Sequence, residues 1–160
     1  MLEPMKIGVL SDTHLTEVTP ALERIIGEYF QEVDLLIHAG DMVGLSVYRF
    51  LSAFPLEAVQ GNMDEFPLRE ELPVKKTLTL GAFKIGLVHG WGSPLGLEER
   101  IHREFPEVNA IIYGHSHIPA NHRKGDQLFF NPGSTSGYGR RPTIGYLNLN
   151  SQLTGEIIEF

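Results

Sequence analysis

Five short apolar runs, each ending in polar residues, organise the first three quarters of the chain. Nearly every position within them is apolar, which is typical of strands that are buried on both faces. Such strands belong to sheets that other elements cover on both sides. The runs occupy residues 6–12, 34–41, 56–62, 83–90 and 109–115.

Helical periodicity separates several of these runs. In residues 19–33, Thr19 is a candidate N-cap, Pro20 suits the first helical position, and apolar residues recur behind them at helical spacing. Residues 46–54 and 96–105 are two further candidate helices. The first two thirds of the chain therefore predict strands that alternate with helices.

Two segments predict β-hairpins. The first covers residues 75–90 and turns at Gly81–Ala82. The second covers residues 144–160 and turns near Asn150–Ser151 and near Gly155. Hairpins combined with alternating strands and helices predict an α/β fold with mixed sheets.

Composition and charge narrow the classes of function. The 160 residues suit a single domain over 1–160, and a net charge of −7 argues against binding extended nucleic acid. No apolar run reaches the ~18 residues that span a bilayer. The chain has no cysteine and its first residues lack the features of a secretory signal, so we expect a cytoplasmic protein. Apolar sheet edges are compatible with a homo-oligomer.

Every apolar run ends in a side chain that can bind a metal ion. Sites in open α/β sheets form outside the carboxyl ends of the strands. Residues two apart in extended backbone face the same way, so the pairs Asp12/His14 and His115/His117 are each expected to reach one pocket. Seven such donors are too many for one ion and suit two borderline-hard divalent ions that share a carboxylate. The candidate ligands are Asp12, His14, Asp41, Asn62, His89, His115 and His117.

The order of these residues resembles the signature of the calcineurin-like metallophosphoesterases. The matching blocks are "SDTH" at 11–14, "AGD" at 39–41, "GNMD" at 61–64, "HG" at 89–90 and "GHSH" at 114–117. Together with "NPGS" at 131–134, they make the chain most similar to the small, single-domain YfcE-type phosphodiesterase branch. This resemblance implies a four-layer αββα sandwich of two mixed β-sheets flanked by helices.

The resemblance also implies a role for each ligand. Two divalent ions are expected, with Mn²⁺ favoured and Ni²⁺, Fe²⁺, Co²⁺ or Zn²⁺ as alternatives. Asp41 would bridge them, and Asp41, Asn62 and His89 would be the catalytic residues. The family pattern assigns Asp12, His14 and His117 to the first metal and Asn62, His89 and His115 to the second.

The implied activity is hydrolysis of small phosphodiesters by a hydroxide that two metal ions activate. A phosphomonoesterase and a non-catalytic, protein-binding scaffold similar to the retromer subunit are the alternatives. All seven ligand positions keep coordinating side chains, which favours the enzyme.

Two positions depart from the family pattern. Met63 stands where larger phosphatases of the family carry a histidine near the leaving group, and a methionine side chain has no proton to donate. Leu15 follows His14 where glycine is common, which predicts a local change in the loop.

Other polar and aromatic residues have weaker predicted roles. His38 is expected to pack beside the ligands, and His102 to lie on an exposed helix face. His122 and Trp91 are candidates for the border of the pocket. Asn131 is expected to form a tight turn beneath the metals and to orient a ligand.

Overall fold

Two five-stranded β-sheets form the centre of the protein. The computed structural model describes residues 3–160. The strands in this range are β1 (Met5–Leu10), β2 (Leu35–His38), β3 (Leu56–Ala58), β4 (Lys75–Leu80), β5 (Phe83–Val88), β6 (Ala110–Ile112), β7 (Ala120–Lys124), β8 (Gln127–Asn131), β9 (Thr143–Leu149) and β10 (Leu153–Glu159). The helices are α1 (Pro20–Tyr29), α2 (Leu45–Leu51), α3 (Phe66–Glu71) and α4 (Leu97–Glu104).

Both sheets are mixed. The first has the strand order β10-β9-β1-β2-β3, in which β1, β2 and β3 run parallel and β9 pairs antiparallel with both of its neighbours, β1 and β10. The second has the order β4-β5-β6-β8-β7, with β5, β6 and β8 parallel and an antiparallel strand at each edge. Because parallel strands end at the same edge of a sheet, the polar residues that follow them are gathered there.

The sheets pack face to face through a buried apolar layer. Ile7 of the first sheet and Ile85 of the second belong to the same buried cluster. Phe130 of β8 is fully buried, and a Cβ atom added at Gly145 or Gly155 would lie 2.5 or 2.6 Å from its ring. The ring of one sheet therefore lies directly against the backbone of the other, and this contact fixes their separation.

Helices cover the outer faces of both sheets. Leu22 of α1 and Val47 of α2 share a buried cluster with Leu36 of the first sheet. Ile101 of α4 packs with Ile111 of the second sheet. This order of layers confirms the predicted αββα sandwich. Within residues 3–160, none of the helices combines the length and the apolar character needed to cross a membrane.

The predicted elements are confirmed where their pattern is strong. Thr19 caps α1, since its Oγ1 accepts a hydrogen bond from Leu22 N at 3.2 Å. The hairpin turn at Gly81–Ala82 is also present, between β4 and β5. The turn expected near Gly155 is wrong, because β10 runs through this residue and pairs it with Leu147. The pattern did not predict α3, β7 or β8.

Replacing Phe130 with alanine should lower the free energy of unfolding by about 3–5 kcal/mol, because it opens a cavity between the sheets. Phe66→Ala is the matched control. Because the Phe66 ring is 66% exposed, its removal should lower the free energy of unfolding by less than about 0.5 kcal/mol. Urea unfolding followed by circular dichroism measures both. Equal losses in the two variants would contradict the inter-sheet position of Phe130.

Candidate metal centre

The predicted ligands follow the ends of parallel strands in both sheets. Asp12 and His14 come after β1, and Asp41 comes after β2. His89 follows β5 and His117 follows β6. Since the sheets are packed face to face, these five side chains meet at one place between the two sheet edges.

Asp12 lies at the middle of this cluster. Its carboxylate is fully buried, and Oδ1 lies 3.2 Å from His117 Nε2, 3.6 Å from His14 Nε2 and 3.8 Å from His89 Nε2. The other oxygen, Oδ2, accepts hydrogen bonds from Ser11 Oγ at 2.5 Å and from the backbone N–H of His115 at 3.1 Å. Protein donors thus fix one oxygen and leave the other directed at three imidazoles.

Asp41 is arranged in the same way. Its Oδ1 accepts a hydrogen bond from Met63 N at 2.8 Å. Its Oδ2 lies 3.2 Å from His89 Nε2 and 3.6 Å from His14 Nε2. Each carboxylate therefore presents one free oxygen to the same small volume.

Two overlapping groups of three residues have the geometry of metal-ligand sets. The first is Asp12, His14 and His117, and the second is Asp12, Asp41 and His89. Within each group all ligand atoms lie within 4.8 Å of one another. The Nε2 atoms of His14 and His117 face each other at 3.3 Å, as two donors to one ion would.

Two buried atoms of the cluster fit a bound cation. Within residues 3–160, Asp12 Oδ1 and His89 Nε2 are buried and have no hydrogen-bond partner. Such atoms are rare in proteins unless another group satisfies them. His89 Nδ1 lies 2.7 Å from the carbonyl oxygen of Ala39, which only accepts, so Nδ1 carries a proton and Nε2 is the ring atom that faces the carboxylates. Carboxylate oxygens and imidazole nitrogens are donors that suit a divalent transition metal.

Both carboxyl groups are anionic despite their burial. Burial would raise the pKa of Asp12, but the nearby imidazoles of His117 and His14 hold it well below its ordinary value. Burial also opposes ionisation of Asp41, and His89 together with the N–H of Met63 lowers its pKa nevertheless. The centre therefore places two anionic carboxylates beside imidazoles in a region from which solvent is largely excluded.

Left-handed backbone presents the ligands. The φ angle is 52° at Asp12, 49° at His14, 58° at Asp41, 72° at His115 and 62° at His117. The extended geometry inferred from the two-residue spacing is therefore wrong for both pairs, because each strand ends before its first ligand. A non-glycine residue in this conformation costs about 1 kcal/mol. Strain concentrated in this way is typical of functional sites.

Asn62 and His115 lie beside the cluster, and His115 belongs to neither ligand group. The side chain of Asn62 is exposed and lines a cavity of about 400 Å³ together with His89 and Trp91. The His115 ring lies 5.2 Å from that of His89, centroid to centroid, and its Nε2 is 2.7 Å from Gly92 O. The structure thus gathers five of the seven predicted ligands and places the other two at the rim.

Two supporting residues hold the strand ends. Asp64 is buried, and its carboxylate accepts hydrogen bonds from Val43 N at 2.6 Å and Gly61 N at 2.7 Å. Asp64 is absent from the predicted ligands, although its place in the "GNMD" block is a signal for it in the sequence. Asn131 Nδ2 donates to Gly114 O and to Ser116 Oγ, both at 3.1 Å, so Asn131 fixes the segment that carries His115 and His117.

The remaining predicted residues lie around the centre or away from it. His38 is buried, its Nδ1 accepts a hydrogen bond from Gly40 N at 3.1 Å, and burial lowers its pKa to about 4. His102 is exposed as expected. His122 contacts Glu98 at 2.8 Å, in a cleft outside the ligand cluster. Leu15 forms an isolated bridge with Val43.

Comparison with known proteins identifies the family. The model of the calcineurin-like phosphoesterase superfamily domain matches residues 5–152. A probable metallophosphoesterase from Methanothermobacter thermautotrophicus is 34% identical over 133 residues, which cover 81% of this chain and 77% of the relative.

Solved structures share the fold over nearly the whole chain. One described as a novel archaeal phosphodiesterase is 28% identical, with a TM-score of 0.78, and covers 98% of this chain and 100% of its own. Vacuolar protein sorting 29 from Cryptosporidium parvum has a TM-score of 0.76, covers 98% of both chains and is 19% identical, which shows the fold alone. The domain match and the metallophosphoesterase relative are sufficient to establish that this chain belongs to the calcineurin-like phosphoesterase superfamily.

Proposed function

We propose that the protein is a metal-dependent phosphodiesterase that hydrolyses small phosphodiesters with two divalent cations. The observation that carries the proposal is the buried cluster in which Asp12 and Asp41 each direct one oxygen at facing imidazoles. Among the described residues, Asp12 Oδ1 and His89 Nε2 of this cluster are buried without a hydrogen-bond partner, so both atoms are available to bind a metal ion. The 28% identity to the archaeal protein described as a phosphodiesterase supports a diester as substrate.

The ligand assignment divides the cluster between two cations. The first ligand group supports a site made by Asp12, His14 and His117. The position of Asp41 between His14 and His89 supports its role as the bridge. Asn62 and His115, at the rim, would complete the second site with His89. Manganese suits this set of oxygen and imidazole donors, as do nickel, iron, cobalt and zinc.

Two cations held here would supply Lewis-acid chemistry, activating a water molecule and offsetting the charge that develops on the phosphoryl group. The chain's own residues keep the centre in position for this. Hydrogen bonding of Asp41 Oδ1 by Met63 N fixes the direction of Oδ2. The contact of His89 with Ala39 O keeps this ring in one tautomer. The burial of Asp12 and His89 excludes water from the inner side of the centre.

The surroundings of the centre favour small substrates with good leaving groups. A net charge of −7 opposes the approach of a long polyanion. The cavity that borders His89 has about 400 Å³, which suits a small molecule. The Met63 side chain has no proton to give to a departing alkoxide, so activated esters should react best.

The scaffold alternative has weaker support. The likeness to vacuolar protein sorting 29 is at 19% identity and concerns the fold. All seven candidate ligand positions keep coordinating side chains, which a scaffold does not need. Turnover of a diester and a monoester with the same leaving group would separate the enzyme from the scaffold and the phosphodiesterase from the phosphomonoesterase.

Asp41→Ala should abolish hydrolysis of bis(p-nitrophenyl) phosphate and remove both metal ions, because the bridging carboxylate is lost. Elemental analysis should find two divalent ions per chain in the wild type and fewer than one in the variant. Asp126→Asn, a carboxylate change in the turn between β7 and β8, is the control and should leave both quantities unchanged. Wild-type turnover by a metal-replete Asp41→Ala variant would refute the assignment.

Met63→His should raise turnover of diesters with a poor leaving group, because an imidazole at this position can protonate the departing oxygen. We expect a gain of at least about tenfold for diphenyl phosphate and less than about threefold for bis(p-nitrophenyl) phosphate. Met63→Leu, which has no proton to donate, should show no such selectivity. Equal gains on both substrates, or a gain in the leucine variant, would contradict a leaving-group role for this position.

A further inference from the structure

Tyr138 lies against the first ligand group. Its ring centroid is 4.8 Å from that of His14 and 4.9 Å from that of His117. The ring is tilted by 39° to the first imidazole and stands nearly edge-on to the second, at 74°. Even with these contacts, Tyr138 remains 63% exposed. A large area of aromatic surface is therefore open to solvent beside the imidazoles.

The segment that carries Tyr138 is fastened to the strand end that carries the ligands. Three consecutive hydroxyl side chains donate to backbone carbonyls of residues 11–13. They are Ser134 Oγ to Asp12 O at 2.8 Å, Thr135 Oγ1 to Ser11 O at 3.2 Å, and Ser136 Oγ to Thr13 O. The Tyr138 ring is thus attached through a short segment that hydrogen bonds hold in place. This lowers the conformational entropy that the segment would lose when the ring binds a ligand.

Folding alone gives little reason for an exposed tyrosine at this position. Tyr138 has a φ of 46°, in the left-handed region, between Gly137 at 87° and Gly139 at 85°. The left-handed conformation is about tenfold less favourable for a tyrosine than for a glycine. Because the ring is mostly exposed, its burial offsets little of this cost. The neighbouring glycines allow the turn, and the aromatic ring is the unexplained feature.

We propose that Tyr138 is a specificity-determining residue that stacks on a planar, aromatic substituent of the phosphodiester. This inference rests on the proposed function. A diester bound to a cation held by His14 and His117 has an ester substituent on each side of phosphorus, and Tyr138 borders these ligands directly. The substrate class is a small aryl or base-bearing phosphodiester. Stacking of a base on an aromatic side chain increases affinity by about tenfold or more.

Two competing diesters of similar size test the proposal. Diphenyl phosphate carries flat aromatic rings, whereas dicyclohexyl phosphate carries puckered aliphatic rings of similar size. The ratio of their two dissociation constants therefore reports stacking and not apolar contact. Calorimetry on the full, manganese-loaded chain measures both dissociation constants, in titrations that are shorter than the turnover time of diphenyl phosphate, whose leaving group is poor. We expect the wild type to bind diphenyl phosphate about tenfold more tightly. Tyr138→Phe should keep this ratio, and Tyr138→Leu should reduce it below about threefold.

The controls separate stacking from support of the imidazoles. Partial loss of metal in a Tyr138 variant weakens the binding of both diesters equally and leaves the ratio of their dissociation constants unchanged. Phe66→Leu removes another exposed aromatic ring, which makes no ring contact with His14 or His117 among the described residues, and should keep the wild-type ratio. An unchanged ratio in Tyr138→Leu would overturn the proposal, as would a ratio lost in Tyr138→Phe.

The outcome is distinguishable from failure of the proposed function. Hydrolysis of bis(p-nitrophenyl) phosphate by a chain whose affinity ratio is insensitive to Tyr138 would leave the phosphodiesterase in place and remove the stacking role. A ratio that depends on Tyr138 in a chain without hydrolysis would keep the stacking role and remove the phosphodiesterase.

Discussion

The burial of two anionic carboxylates beside three imidazoles is the constraint on which the centre depends. Asp12 is fully buried and Asp41 almost so, and the pKa of each lies below its ordinary value. Charges removed from water in this way are costly unless opposite charge and directed donors compensate them. Donors from the protein occupy one oxygen of each carboxylate, and the other oxygen faces imidazoles in a geometry that suits a bound cation. The local architecture holds both carboxylates in that geometry.

The fold supplies the rigidity that holds this arrangement. Each sheet delivers its ligands just beyond strand ends, and contacts such as Phe130 against Gly145 and Gly155 fix the distance between the sheets. Hydrogen bonds such as that from Asp12 N to Gly40 O, at 3.0 Å, then hold the left-handed turns. The geometry of the ligands therefore depends on the packing between the two sheets.

Residue type and simple periodicity make part of this structure predictable. The strands β1, β2 and β5 and the ligands that follow them are predictable because a buried strand is a nearly continuous apolar run with an abrupt polar end. The helix α3 is not, since Leu68 is its one buried residue, and β7 is mostly exposed and has no apolar pattern. The left-handed turns, the rim positions of Asn62 and His115 and the contact of Tyr138 with His14 depend on φ angles and tertiary contacts. Residue order specifies none of these directly.

Anomalous diffraction from crystals grown with manganese tests the central claim most directly. We expect two anomalous peaks within about 4 Å of each other, with Asp41 touching both, Asp12 beside the first, and Asn62 and His115 turned toward the second. A cluster that binds no manganese at millimolar concentration, or a single peak that Asp41 does not touch, would contradict it.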